Sequence, residues 1–244
     1  MPDAAPHPEL LRSLGRLVRG LSALFWGLPS ALVLGVGTAG AGWFRATWGL
    51  PACLFTALLL FGLWQLASFQ KQERPWRHAI DRASFFALLN LGLSPFLYFW
   101  HGVPEQAYFR LAVCLLAVSS LFFLIALNVV LLRLGAMLPD EALRHELRQY
   151  TAVNRSLLTA FLFLTTLYLA VPRILLFYIN RLSAKPVDWH GFQIVIPSLG
   201  LEVNGSWLLW IPLCLFLLLP IAMTMALIWK TKEVILENVF GGAR

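Results

Sequence analysis

Charge is what this sequence lacks. Only 13% of its 244 residues are charged, against about 25% in soluble domains. The chain contains six apolar runs, and five of them have no Asp, Glu, Lys or Arg: 20–44, 46–70, 83–104, 111–132 and 203–229. The sixth run, 156–179, is interrupted only by Arg173. Each run reaches the roughly 20 residues that a helix needs to cross a hydrocarbon core, which excludes a soluble core and predicts a polytopic membrane protein.

The predicted fold class is an all-α integral membrane protein, a bundle of six transmembrane helices. The expected spans are about 21–44, 48–69, 84–101, 110–132, 156–179 and 207–229. Residues 1–20 form an N-terminal interfacial segment and 180–206 a longer external loop, which leaves no room for a separate soluble domain. We therefore expect one polytopic membrane domain over residues 1–244.

The basic residues indicate an orientation. With the N-terminus in the cytoplasm and six spans, fourteen Lys and Arg fall in cytoplasmic segments and five on the far side. This excess follows the positive-inside bias of short loops and predicts that both termini are cytoplasmic. The basic residues flank spans and are not interleaved with aromatics, so the net charge of +7 indicates anionic lipid headgroups as partners, not nucleic acid.

The sequence also lacks the motifs of self-contained chemistry. Its three cysteines lie inside predicted spans without CxxC spacing, and no phosphate-binding loop, dinucleotide fingerprint or nucleophile elbow occurs. All twelve acidic residues fall outside the spans, which removes the usual carboxylates for ion coupling or metal ligation. We expect no catalytic residue, no metal and no cofactor, and hence no enzyme.

The N-terminal segment is amphipathic. Six apolar residues recur at helical spacing while three arginines share another face: Leu10, Leu11, Leu14, Leu17, Val18 and Leu21, against Arg12, Arg16 and Arg19. This pattern predicts a helix lying in the cytoplasmic membrane interface. The alternative is a simple extension of the first span.

Small residues recur at every fourth position of the first span: Ala23, Gly27, Ala31, Gly35 and Ala39. Such a face lets another helix backbone approach closely. It therefore predicts a helix contact, made either with this chain's own spans or with a second subunit.

Three intramembrane residues are candidates for function: Arg173, Asn90 and Asn128. The two asparagines are costly to leave unpaired in lipid, so each should point inward and bond another helix, or line a polar pathway. Arg173 either snorkels to the outer headgroups or faces an anionic group, and any buried counter-ion would have to come from outside the spans of this chain.

The external loop offers two further patterns. Alternating apolar residues around Pro197 and Gly200 predict a short β-hairpin-like segment. A weak external cluster of His101, Glu105, Asp188 and His190 has the side chains to bind a metal or act as acid and base. The alternative for the cluster is that these are solvated loop residues.

The sequence therefore predicts a non-catalytic integral subunit that scaffolds or anchors a larger complex of a bacterial cytoplasmic (inner) membrane, with other membrane subunits as partners. The lack of catalytic, metal-binding and nucleotide-binding motifs, the small-residue face of the first span and the basic cytoplasmic surface support this hypothesis. The runner-up is a permease-like transporter of a lipid or an anionic small molecule, with Arg173, Asn90 and Asn128 in its pathway. An intramembrane enzyme comes third.

Overall fold

The structure, a computed structural model, describes residues 8–40, 49–69, 72–103, 106–138, 141–182, 193–196 and 201–240. Side chains are described over a narrower set, which leaves out 168–182 and 201–217 among others. Over these ranges the helices and strands are α1 Pro8–Gly40, α2 Leu50–Ala67, α3 Arg74–Leu93, α4 Pro95–Gly102, α5 Ala107–Met137, α6 Glu141–Leu182, β1 Gln193–Ile196, β2 Leu201–Asn204 and α7 Gly205–Phe240.

The helical architecture is confirmed, with six long helical segments. The third segment consists of α3 and α4, which meet at Ser94, because Pro95 cannot continue the hydrogen-bond ladder of α3. Four helical stretches of the described residues are long and apolar enough to cross a membrane: Arg12–Ala39, Leu50–Ala67, Arg74–Gly102 and Ala107–Met137.

The helices pack in a ring. In chain order α1 lies beside α2, α2 beside α3, α3 beside α5, α5 beside α6 and α6 beside α7, and α7 returns to α1. The α5 helix also contacts α7 across the ring and is the most buried of the four candidate spans. Side chains of Leu127, Val130, Leu131 and Leu134 from α5 therefore lie in the middle of the core.

Close packing of α1 on α2 depends on glycine. A Cβ on Gly20 would lie 2.8 Å from the carbonyl oxygen of Gly62, and one on Gly27 would lie 2.7 Å from a methyl of Leu59. Positions rising along α1 thus meet positions falling along α2, so the two helices are antiparallel. In α1 and α2 small residues allow the backbones to approach, as expected for helices in lipid.

The small-residue face differs in detail from the predicted stripe. Gly27 is buried against α2, but the three alanines of the stripe, Ala23, Ala31 and Ala39, are only half-buried. A Cβ on Gly35 would meet only a methyl of Leu97 of α4, at 3.8 Å. Gly20, which the four-residue spacing omits, makes the tighter approach to α2. A seven-residue spacing from Gly20 to Gly27, with leucines between, describes the packed face better, because it keeps one side of α1 against α2.

The helix boundary predicted near residue 20 is absent. The α1 helix runs without a break from Pro8 to Gly40, so the alternative, an extension of the first span, describes it. Leu17 and Leu21 are fully buried in the protein core. Their apolar face therefore packs on protein, and a separate helix lying in the membrane plane is not formed.

Strands β1 and β2 pair antiparallel, with Gln193 opposite Asn204 and Ile196 opposite Leu201. They fall in the segment for which a hairpin-like loop is predicted. The placement of this pair outside the membrane stays a prediction.

Candidate functional site

Three buried polar side chains meet between α5, α6 and α7. They are Asn128, Asn154 and Thr224, which are 1%, 0% and 0% exposed. The Nδ2 of Asn154 lies 3.0 Å from Oδ1 of Asn128 and 2.9 Å from Oγ1 of Thr224. Because each residue comes from a different helix, these contacts join the three helices through polar groups.

Two backbone carbonyls complete this polar cluster. Nδ2 of Asn128 donates to the carbonyl of Leu124 at 2.8 Å and lies 3.2 Å from Oγ1 of Thr224. The carbonyl of Pro220 accepts from Oγ1 of Thr224 at 2.7 Å and lies 3.2 Å from Nδ2 of Asn154. The cluster is thus built from amides, one hydroxyl and carbonyls, and contains no ionisable group.

One acceptor of the cluster has no donor. Oδ1 of Asn154 is buried and has no hydrogen-bond partner in the described part of the chain. A buried acceptor left unmatched costs about 1–3 kcal/mol. The cluster therefore has capacity for one more group that carries positive charge or a hydrogen.

Sequence reasoning found one member of the cluster and missed two. Asn128 was expected to bond another helix, and it does so. Asn154 lies next to Arg155, just outside the predicted fifth span, and this position is typical of a solvated residue at the membrane boundary. Thr224 gives no signal because its hydroxyl can always bond its own helix.

Asn90 belongs to a different part of the core. It lies on α3, is 5% exposed, and its Oδ1 has no partner among the described residues. Ser119 of α5 is also buried with an unpartnered Oγ. The stacked rings of Phe86 and Phe122 join the same two helices, about one turn away from each of these residues. Asn90 is therefore inside, as expected, but its oxygen lacks the expected bond.

The remaining candidate residues lie apart from the polar cluster or outside the described residues. The Nδ1 of His101 lies 3.2 Å from the carbonyl of Ala39, which ties α4 to α1. Glu105, Asp188 and His190 lie outside the described residues, and so does the side chain of Arg173.

Three exposed tryptophans lie toward one end of the bundle. Trp26, Trp64 and Trp229 are 66%, 71% and 54% exposed. Phe25 places two of them together, since its ring centroid is 5.4 Å from that of Trp26 and 5.6 Å from that of Trp229. Trp64 lies about 9 Å further along the bundle, because its neighbours Gly62 and Gln65 meet Gly20 of α1, six residues before Trp26. Exposed tryptophans near the end of a helical bundle are typical of a membrane interface.

Charged residues gather at this same end of the bundle. Among side chains that the structure describes, every Asp and Glu lies there, and Arg110 is the one Lys or Arg at the opposite end. Lys230 and Glu146 form the single ion pair within the described ranges, joining α7 to α6. The exposed arginines Arg12, Arg16 and Arg19 line one face of α1 at this end.

The chemistry of the two regions differs. The polar cluster can bind a group through neutral oxygens, and the charged end can bind anions. Neither region contains a described nucleophile with an adjacent base. Comparison with protein-family models, with curated protein sequences and with solved structures found no match to this chain.

Proposed function

We propose that this chain is a non-catalytic, multi-pass subunit of an inner-membrane complex, with both termini in the cytoplasm. In this proposal its charged end binds an acidic surface of a partner subunit. The observation that carries the proposal is the row of exposed arginines on α1, Arg12, Arg16 and Arg19, none of which forms an ion pair with a described residue.

The position of this row favours a protein partner over lipid alone. Arg12 is 14 residues before Trp26, which is about 21 Å along a helix. Arg16 is 10 residues before it, about 15 Å. The headgroup layer on each side of a bilayer is only about 5–8 Å thick. Trp64 is level with Gly20, which is 8 residues after Arg12, about 12 Å, and 4 residues after Arg16, about 6 Å. With the tryptophans at the headgroup level, Arg12 extends beyond the lipid into the cytoplasm and Arg16 lies at the outer part of the headgroup layer.

The protein supports this projecting part of α1. Leu17 and Leu21 are fully buried beneath the arginines, and Leu14 packs against the core. The arginines are therefore presented on a fixed surface. A fixed row of unpaired charges lowers the ordering cost of binding a complementary surface.

Lipid headgroups are the proposed ligands closer to the membrane. Lys232 lies 5.6 Å from the ring centroid of Trp229, which is exposed and lies beside Phe25 of α1. A cation beside an interfacial tryptophan suits an anionic headgroup. The two kinds of anionic partner thus occupy different depths.

Purification in a mild detergent, followed by mass spectrometry of accompanying proteins, tests the proposal. The double variant Arg12→Gln/Arg16→Gln should lose an accompanying acidic protein that the wild-type chain retains at low salt. Arg110→Gln, an exposed arginine at the opposite end of the bundle, is the matched control and should retain it. A wild-type chain that purifies alone, or a partner held equally by the double variant, would reject the proposal.

The second candidate is a permease-like transporter of a lipid or an anionic small molecule. It is favoured by the burial of Asn90 and Asn128, which face the interior of the bundle instead of lipid. Flux into liposomes should then be lost in Asn128→Ala and in Arg173→Ala while the helix content is retained. Unchanged flux in these variants would remove both residues from a pathway.

A further inference from the structure

A cavity of about 360 Å³ lies between the end of α2 and the start of α3, a volume in the range of small-molecule sites. Its walls are Ala67 of α2 and Trp76, Arg77, Ile80 and Asp81 of α3. Trp76 and Ile80 are 0% and 3% exposed, and the indole Nε1 of Trp76 donates to the carbonyl of Phe69 at 3.0 Å. The cavity therefore has a fixed apolar floor, while its two charged side chains are exposed.

The two charged residues of the cavity have opposite signs and lie one helical turn apart. Neither Arg77 nor Asp81 forms an ion pair with a described residue. Side chains at i and i+4 are neighbours on a helix, but a cation placed before an anion is the weaker order for a direct pair. Both charges are thus available to a ligand. A ligand that carries an ammonium and an anionic group a few bonds apart matches them.

The cavity lies at the depth of lipid headgroups. Ala67 follows the exposed Trp64 by three residues, which is about 4.5 Å along α2 toward the charged end. The headgroup layer is about 5–8 Å thick, so a cavity at Ala67 lies within it when Trp64 marks the interface. On the membrane side Phe85 and Leu88 follow Asp81 by four and seven residues, and they are 59% and 58% exposed. They give the same face of α3 an apolar surface for acyl chains.

We propose that this cavity binds the headgroup of phosphatidylethanolamine, which carries a primary ammonium two carbons from a phosphate. The carboxylate of Asp81 accepts hydrogen bonds from the ammonium. The guanidinium of Arg77, at the end of a long side chain that can turn toward the membrane, binds the phosphate. Phosphatidylcholine has the same phosphate, but its quaternary ammonium has no hydrogen to donate, and phosphatidylglycerol has no cation. The site therefore selects a primary amine.

The inference does not rest on the proposed acidic partner. That partner is assigned to the arginine row of α1, whereas the lipid is assigned to the cavity between α2 and α3. The partner is measured by co-purification with variants of Arg12 and Arg16, and the lipid by its affinity for variants of Arg77 and Asp81. Either proposal can therefore fail while the other stands.

The test is native mass spectrometry of the purified full chain in detergent micelles, titrated with dioleoyl-phosphatidylethanolamine or dioleoyl-phosphatidylcholine. These two lipids differ only in the methylation of the amine. The difference in their affinity for the first bound position therefore isolates the contact with Asp81. We expect phosphatidylethanolamine to bind at least about tenfold more tightly, the factor that one hydrogen bond to a charged group supplies.

Three variants assign the preference to residues. Asp81→Asn should lower the affinity for phosphatidylethanolamine to that for phosphatidylcholine and leave the latter unchanged. Arg77→Gln should weaken the binding of both lipids and keep the preference, because both contain the phosphate. Glu233→Gln is the matched control, since Glu233 is an exposed acid of α7 that does not line the cavity, and it should bind both lipids like the wild type. Circular dichroism and gel filtration establish that each variant is folded.

Three results would overturn the inference. The first is equal affinity of the folded wild-type chain for the two lipids, which would leave the cavity as a gap between helices. The second is a folded Asp81→Asn variant that keeps the preference for the primary amine. The third is loss of the preference in Glu233→Gln as well, which would show that the overall acidic charge and not this cavity selects the lipid.

Discussion

Gly135 of α5 lies directly against the side chain of Leu147 of α6, with no space between them for a methyl group. A Cβ built on Gly135 would overlap the Cδ1 of Leu147, and Leu147 is 1% exposed and held on all sides. The contact fixes how closely the C-terminal end of α5 approaches α6. Small residues at such crossings allow the van der Waals packing that holds membrane helices together.

Gly135→Ala should therefore destabilise the bundle by about 1–3 kcal/mol, the usual cost of overpacking a filled core. Gly92→Ala is the control, because Gly92 is also in a helix but a Cβ there would meet nothing within 4 Å. Thermal unfolding in detergent, followed by tryptophan fluorescence, should show a lower midpoint only for Gly135→Ala. Equal midpoints for the two variants would show that Leu147 moves aside without cost.

The two buried asparagines should respond differently to replacement by leucine. Asn128 bonds within its own helix and to Thr224, so Asn128→Leu removes these bonds and leaves cluster acceptors unmatched, at a cost of about 1–3 kcal/mol. Asn90 has an oxygen that is already unpartnered, so Asn90→Leu should be neutral or stabilising. Unfolding midpoints measured side by side check the difference. A larger loss for Asn90→Leu than for Asn128→Leu would contradict it.

Spacing of charge was sufficient to predict the helical class and the six helical segments, because every long uncharged run must satisfy its backbone within a helix. Contacts between helices were harder to predict. The spacing that singled out Ala23 and Gly35 counts residues within one helix, whereas the tight approach at Gly20 depends on Gly62 of the neighbouring helix. Asn154 was missed for the same reason, since its hydrogen-bond partners are 26 and 70 residues away along the chain.

Both termini should lie on the same side of the membrane, the side that holds the charged end of the bundle. Helices α1 and α2, which are neighbours in the ring, run in opposite directions, since Gly20 meets Gly62 and Gly27 meets Leu59. Fusions of a cytoplasm-active fluorescent protein to either terminus should fluoresce, and fusions of a periplasm-active phosphatase at the same positions should be inactive. An active phosphatase at one terminus alone would show an odd number of spans.

The ion pair between Lys230 and Glu146 should contribute little to stability. Their side chains are 47% and 41% exposed, so water screens the attraction and both side chains lose rotamer freedom in pairing. A double-mutant cycle with Lys230→Met and Glu146→Gln should give a coupling free energy below about 1 kcal/mol that falls further as salt is raised. Unfolding midpoints of the four proteins at low and high NaCl supply the cycle, with N-methylglucamine chloride as a second salt. A coupling well above this range that salt does not reduce would mean that the pair is shielded from water, for example by a partner covering the charged end.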